Sequence, residues 1–373
     1  MRHPESILIV AGETSGDLHA APVVKALRSA LPDARFWGAG GNLMRAEGVE
    51  LLAEVSDLAV MGFTGIPKIL PTLSRLKASI LKRVTEENTR LAILVDYPGF
   101  NLNLAGSLKK LSNPPKILQY VAPQLWAWRE GRVKKIKRNV DELAVVFPFE
   151  VNFFLKHGIN AHFVGHPLVE ELAGYADSKP IHPTSSPYVA LLPGSRRTVT
   201  ATHLPIMLEA IQVLKSQSPG VQVGVGIAEN LRGWNGWAEA KTASFTLWDD
   251  SRALLQQADV AAVCSGTATL EAALLGVPQV VVYKTSGLNY QIAKTFVTIS
   301  NISLANLVAG RKLVAELIQD ELTVDNLVTE LKKLLFDEPL RQTIIAGYAD
   351  VRRTLGSAKA AEGVAKIALK MLN

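Results

Sequence analysis

Residues 7–17 read ILIVAGETSGD: five apolar residues, Ile7 to Ala11, run into a turn with two glycines and two acids, and an amphipathic stretch over 18–31 follows. A short run apolar on both faces is a strand buried on both sides, and the helix after it covers one of those sides. The succession recurs. Residues 91–95 lead into DYPGFN and a helix through Lys110, and 116–121, 142–146 and 162–164 are further short strands. Residues 174–187, GYADSKPIHPTSSP, have linker composition, with three prolines among small polar residues. The pattern then restarts with a strand at 188–192, the turn PGSRR and a helix over 203–217, followed by strands at 221–226, 245–248, 260–264 and 279–283. From about Leu322 to Asn373 the chain reads as helical. The expected fold is α/β: two Rossmann-like domains, each a helix-covered parallel sheet, with a helical C-terminus. The expected boundaries are 1–175, 186–340 and a helical tail 341–373 that packs back on the first domain.

Composition narrows the function classes. Of 373 residues, 48% are hydrophobic and 20% charged, which describes a folding sequence of about two domains. The single cysteine, Cys264, excludes an internal disulfide or a cysteine metal cluster and suits a reducing compartment. The apolar run at 7–11 is too short for the core of a signal peptide. The longest apolar candidate, 260–283, is broken by Ser265, Gly266, Thr267, Glu271 and Gly276, so no stretch offers the roughly 20 continuous apolar residues of a membrane span. A soluble protein, or one held at a membrane surface, is expected. The net charge of +6 is local in origin. In REGRVKKIKR, residues 129–138, Arg129, Arg132, Lys134, Lys135, Lys137 and Arg138 face a single acid, Glu130. Such a run meets anionic lipid or a phosphorylated substrate, or is simply a solvated helix face. Nucleic acid is not expected, because no recognised binding module accompanies the run.

The turns carry the chemistry. With a Pro-rich hinge between two such domains, a ligand cleft at the carboxyl ends of both sheets is expected. In the first turn Glu13 and Asp17 would repel a pyrophosphate but suit sugar hydroxyls or a proton to be removed; the bland alternative is that Asp17 or Ser15 caps the helix. Asp96, straight after the strand at 91–95, is placed to act as a general base for a hydroxyl, or else is a turn residue before Pro98 and Gly99. Gly194, Ser195 and Arg196 offer a close-approaching backbone, a hydroxyl and a planar cation for phosphate. Ser265, Gly266 and Thr267 open a helix whose N–H groups suit a diphosphate, and Glu271 lies one turn on, where a carboxylate accepts from ribose hydroxyls. Trp126, Trp128 and Arg129 with the basic run, and the apolar stretch with Met61, Phe63, Ile66, Ile69 and Leu70, are membrane-interface candidates or core. No P-loop, HExxH, GxSxG or CxxC pattern is present, and the seven histidines show no metal-ligand spacing.

Taken together, VAGETSGDLHA (10–20), DLAVMGF (57–63), VDYPGFN (95–101), APQLWAWREGRVKKI (122–136), FPFE (147–150), FVGHPL (163–168), LLPGSR (191–196), SGTATLEAALLGVPQVVVYK (265–284) and ISLANLVAGR (302–311) resemble the lipid-A-disaccharide synthase family, end to end and in order. The resemblance implies a B-type glycosyltransferase that inverts at the sugar. It would join UDP-2,3-diacylglucosamine to 2,3-diacylglucosamine 1-phosphate, giving a β-1,6 disaccharide and UDP, at the cytoplasmic face of the inner membrane. It adds Tyr283, Lys284 and Asn306 to the UDP side, and Met61, Phe63, Trp126, Trp128, Arg129, Arg132, Lys134 and Lys135 to the acceptor and membrane side. It implies no cofactor and no metal, an anionic membrane surface as partner, and admits a homodimer. Some members carry a second acid where this chain has Gly99, which moves the weight of base catalysis to Asp96, Asp17 and Glu13. The alternatives are a related UDP-N-acetylglucosamine transferase or epimerase, which would have no use for WAWR, and a non-catalytic nucleotide or anionic-lipid binder, which would have no use for the acids of GETSGD.

Overall fold

The computed structural model describes residues 5–58, 66–123, 125, 133–176, 186–238, 240, 245–287, 301–356 and 359–373. The chain divides into two compact units, one formed by 1–167 with 357–373 and the other by 168–356.

The first unit is built on a sheet of seven parallel strands: β1 Ser6–Ala11, β2 Arg35–Gly40, β3 Glu50–Glu54, β4 Leu91–Val95, β5 Lys116–Tyr120, β6 Glu142–Val145 and β7 Ala161–Phe163. Their order is β3-β2-β1-β4-β5-β6-β7. The continuous apolar runs sit at the middle, and every residue from Ile7 to Ala11 and from Leu91 to Val95 is wholly buried. One face packs Leu8, Val10, Ala92 and Leu94 against Leu76, Ile80 and Val84 of the helix Ile66–Glu86 and against Leu104 and Leu108 of the helix Pro98–Leu108. Each large aliphatic side chain buried here contributes about 1.5–3 kcal/mol. The C-terminal helix Ala360–Leu372 packs on the helix Thr14–Ala30. Arg90 ties its end down by donating to the carbonyl of Leu372.

The second unit carries six parallel strands: β8 Tyr188–Leu192, β9 Gln222–Gly226, β10 Thr246–Trp248, β11 Val260–Cys264, β12 Gln279–Tyr283 and β13 Glu316–Ile318. Their order is β10-β9-β8-β11-β12-β13. Tyr188, Ala190, Leu192, Ala261 and Val263 pack on Leu254, Leu255 and Ala272 of the covering helices. Helices Val324–Phe336, Glu338–Leu355 and Ala360–Leu372 make the expected helical C-terminus.

The α/β architecture with two parallel sheets is as the sequence predicts. Strands β2, β3 and β13 and the helix Ile66–Glu86 are additions to that reading. Among the described residues no helix is long and apolar enough to cross a membrane.

Candidate active site

In each sheet the strand order reverses once, between β1 and β4 in the first unit and between β8 and β11 in the second. At such a reversal the connections leave on opposite faces of the sheet and open a crevice at the strands' carboxyl ends, where ligands bind in open α/β sheets. Gly12, Glu13, Asp96 and Tyr97 follow β1 and β4. Pro193 to Arg196 follow β8, and Ser265 to Thr267 follow β11. Both sets of turns singled out from sequence therefore lie at switch points.

In the first unit Asp96 and Tyr97 are both left-handed, with φ of 47° each, and Val121 after β5 has φ 59°. For residues with side chains, and above all for a β-branched valine, this conformation is strained by roughly 1–3 kcal/mol. Two wholly buried amides brace it. Asn101 Nδ2 donates to the carbonyls of Val95 at 3.1 Å and Asp96 at 2.8 Å. Gln119 Nε2 reaches the carbonyls of Asp96 at 3.4 Å, Tyr120 at 3.3 Å and Val121 at 3.3 Å. The Tyr97 ring lies on Gly12, where a Cβ would fall 2.1 Å from its Cδ1, so only glycine fits beneath it. The Asp96 carboxyl is pushed up to about 6, first by burial and then by the neighbouring charge of Glu13. Glu13 itself is exposed at the start of the helix Thr14–Ala30.

Asp17 has a different task. It is buried, and its Oδ1 accepts from the amides of Gly41 at 2.8 Å and Met44 at 3.0 Å while Oδ2 accepts from Leu43 at 3.1 Å. The carboxylate thus holds the start of the short helix Asn42–Ala46, and both its oxygens are spent on backbone amides. These bonds favour the capping alternative over the role of base for Asp17. It does cap a helix, but a helix 25 residues further along the chain rather than its own.

At the second unit's switch point the left-handed positions are glycines, Gly194 with φ 118° and Gly266 with φ 151°. Gly194 is also tightly held, since a Cβ there would lie 3.1 Å from Val199 Cγ1 and 3.2 Å from Cys264 Sγ. Ser195 and Arg196 are exposed at the start of the helix Arg197–Gln217. The Cys264 thiol is pushed up to about 12 by burial, against the pull of the Arg196 charge, so it is an inert thiol beside the loop. Gly266 and Thr267 are exposed at the start of the helix Thr267–Leu274. Ser265 Oγ donates to the carbonyl of Ile302 at 2.9 Å. Glu271 Oε1 is held by Arg252 Nε at 2.9 Å, and the other arm of Arg252 holds Glu171 at 2.8 Å.

Asn306, expected on the UDP side, is wholly buried and spent within the unit. Its Nδ2 donates to Val314 O at 3.0 Å and Glu316 Oε1 at 2.8 Å, and its Oδ1 accepts from the amides of Leu313 at 2.7 Å and Val314 at 2.9 Å. With all four of its bonds made to protein, the carboxamide has none left for a ligand. Tyr283 ends β12, Lys284 follows it, and both are half-buried. Beside them stands His203, wholly buried and missed by the sequence reading, whose ring meets Tyr283 edge-on at 6.1 Å.

Of the surface candidates, Met61, Phe63, Trp126, Trp128, Arg129 and Arg132 lie outside the described residues. Lys134 and Lys135 lie on the helix Val133–Asn139, which buries Val133, Ile136 and Asn139 and exposes Lys134, Lys135, Lys137 and Arg138. Leu70 is 55% exposed.

Two parallel-sheet units with 3-2-1-4-5 strand order, each with its loops at the switch point, define the fold of the B-type glycosyltransferases. Solved structures agree. The calicheamicin glycosyltransferase CalG4 matches with a TM-score of 0.58 at 16% identity over 99% of this chain and 98% of that one. A UDP-N-acetylglucosamine 2-epimerase from Listeria monocytogenes matches with a TM-score of 0.62 at 12% identity over 99% and 95%. At these identities the likeness concerns the fold alone.

The sequence is more specific. The family model for lipid-A-disaccharide synthetase matches residues 7–367. The lipid-A-disaccharide synthase of Geobacter metallireducens is 39% identical over 98% of this chain and 97% of its own length, and that of Myxococcus xanthus 38% identical over 100% and 99%. The chain belongs to the lipid-A-disaccharide synthase family, and with it to the glycosyltransferases of lipid A biosynthesis.

Proposed function

We propose that this enzyme transfers 2,3-diacylglucosamine from UDP to the 6-hydroxyl of 2,3-diacylglucosamine 1-phosphate, with inversion, and that Asp96 is the base. The hydroxyl oxygen attacks the donor's anomeric carbon as the bond from that carbon to the diphosphate oxygen breaks. UDP leaves with the electron pair, and the hydroxyl proton passes to the Asp96 carboxylate. The observation that carries this reading is the state of Asp96: a braced, strained carboxylate at a switch point, with a pKa of about 6. A base tuned upward toward neutral pH is still mostly ionised at pH 7.5, yet accepts a proton more readily than an ordinary aspartate. Asp17, with both oxygens on amides, is the poorer candidate.

The second unit supplies the donor's partners in this proposal. Arg196 and the exposed amides at Gly266 and Thr267 take the diphosphate, and Glu271, held by Arg252, takes the ribose. Cation and amides together neutralise the leaving group without a metal. The basic face of the helix Val133–Asn139 is proposed to meet an anionic surface, placing the enzyme peripherally at the inner membrane.

Mass spectrometry of the products from the two acylated substrates tests the reading. An acylated disaccharide phosphate formed together with UDP is expected. Turnover of an unacylated UDP-sugar, with no coupling of the lipid substrates, would replace this proposal by the epimerase-like alternative.

A further inference from the structure

His203 lies on the helix Arg197–Gln217, at the turn that faces the end of the sheet, and is wholly buried. Its Nδ1 is 3.0 Å from the carbonyl of Pro193, and its Nε2 is 2.7 Å from the amide nitrogen of Lys284. The partners fix the protonation state without further information. A proline carbonyl only accepts, so Nδ1 carries the proton, and a backbone N–H only donates, so Nε2 carries none. The ring is a neutral coupler with a donor at one end and an acceptor at the other. Burial, and the nearby Lys284 charge, hold it neutral by lowering its pKa.

The two ends it joins are not neighbours in the sheet. Pro193 follows β8 and opens the loop of Gly194, Ser195 and Arg196, while Lys284 follows β12; β11 lies between them. Strand pairing alone fixes β8 against β11 and β11 against β12. Beyond the last strand residues the loop after β8 and the chain leaving β12 have no ladder to register them against each other. The imidazole spans that gap. It also meets Tyr283 through its ring. Behind the loop, Thr200 of the same helix donates to the carbonyl of Gly194 at 3.0 Å, so one face of the helix fixes two successive carbonyls of the turn.

We infer that His203 is a positioning residue for the nucleotide half of the reaction: it sets the spacing between the Gly194–Arg196 loop and the end of β12, and so the affinity for the diphosphate of the donor. It touches no substrate itself. The inference rests on the donor reading above and extends it to a residue outside the loops.

The test uses the full-length enzyme and UDP as the probe. His203→Leu fills the volume and removes both bonds; His203→Asn keeps a donor toward Pro193; His203→Gln keeps an acceptor toward Lys284. Calorimetric titration with UDP, at a temperature where thermal melts show every variant folded, is compared with steady-state kinetics. His203→Leu is expected to weaken UDP binding by about tenfold and to raise the KM for the donor similarly. The acceptor KM and the kcat at saturating donor should stay within about twofold of the parent. Each amide variant, restoring one bond, should recover part of the loss. A merely structural histidine would lower the melting temperature and leave the UDP affinity of the folded protein unchanged, and that result overturns the inference. Failure of the parent to bind UDP would instead overturn the donor reading on which it rests.

Discussion

The two switch points share a topology and solve opposite problems. At the second unit's switch point the left-handed positions are filled by Gly194 and Gly266, which adopt such angles without a Cβ penalty; among the described residues the unit's non-glycine at positive φ, Gln319, follows the edge strand β13. In the first unit Asp96 and Tyr97 after β4, and Val121 after the neighbouring β5, stand at positive φ, and the buried amides of Asn101 and Gln119 donate to the carbonyls of Asp96 and Val121. On the roles proposed above, the strain is retained at the switch point where a side chain is the working part, and is absent at the one where the backbone is. A turn that offers N–H groups to a diphosphate gains from having no side chains. A turn that must aim one carboxylate gains from being over-determined, and the left-handed step at Asp96 redirects the chain at the first residue after β4.

The largest effect that can break this contrast is at Asp96. Asp96→Asn keeps the shape and removes the base, so kcat should fall by roughly 10²–10⁴ with UDP affinity nearly intact. For the parent, kcat should rise with pH through about 6 as the carboxylate ionises. The stability effect runs the other way. A folded pKa raised from 3.8 to about 6 means the native state binds the proton more tightly than the unfolded chain. That contribution is fully present below about pH 3.8 and is lost as pH rises through about 6. At pH 7.5 the ionised group therefore costs roughly 1–3 kcal/mol, and Asp96→Asn should melt at a higher temperature than the parent. A lower melting point with normal kcat would make Asp96 a turn residue. Asp17→Asn is the companion: it should lower the melting temperature and leave the kcat of the folded enzyme near the parent's.

On the other side of the comparison, Arg196→Ala should weaken UDP binding by about 1.5–3 kcal/mol in calorimetry. Glu271→Gln keeps an acceptor for Arg252 and should cost less, with the loss confined to ribose-bearing ligands. Equal affinity in both variants and the parent would leave the glycine-lined turn without its assigned anion. The smallest effect is at the surface. Lys134→Gln and Lys135→Gln remove cations worth about 1 kcal/mol each near an anionic bilayer, an advantage that salt screens. The double variant should shift from anionic liposomes into the supernatant in sedimentation. Unchanged partitioning would show the Val133–Asn139 helix face to be only solvated.

The sequence displays the centre of each sheet better than its edges. Strands β1, β4, β8, β11 and β12 are short, mostly apolar runs followed by turn residues, the pattern of a buried strand. Strand β2, RFWGAG, hides because Gly38 and Gly40 read as turn residues; yet a Cβ at Gly38 would meet the carbonyl of Ile9 at 1.8 Å, so glycine is there to let β2 approach β1. Edge strand β3, ELLAE, has a three-residue apolar run between two acids and no fully buried residue, which is too short a signal to declare itself. The helix Ile66–Glu86 was obscured by Pro67 and Pro71 and by the apolar stretch before it. At the site, the turns were legible because their residue types are local statements. The partners were not: the amides that occupy Asp17, the arginine that holds Glu271, and the carbonyls under Asn101, Gln119 and His203 come together only through the fold.

The return of the helix Ala360–Leu372 to the first unit has a consequence for how the protein is made. The ribosome emits the first unit's seven strands early, but the helix that covers Thr14–Ala30 emerges only about 200 residues after Pro167, behind the whole second unit. At ordinary translation speeds the nascent sheet waits roughly 10–40 s with that flank uncovered. Meanwhile the second unit, contiguous from Leu168 to Gly356, emerges whole. Biosynthesis therefore completes the later-encoded module before the earlier one, and a chain interrupted before Ala360 has a contiguous second unit but a first unit that lacks the helix packed on Thr14–Ala30.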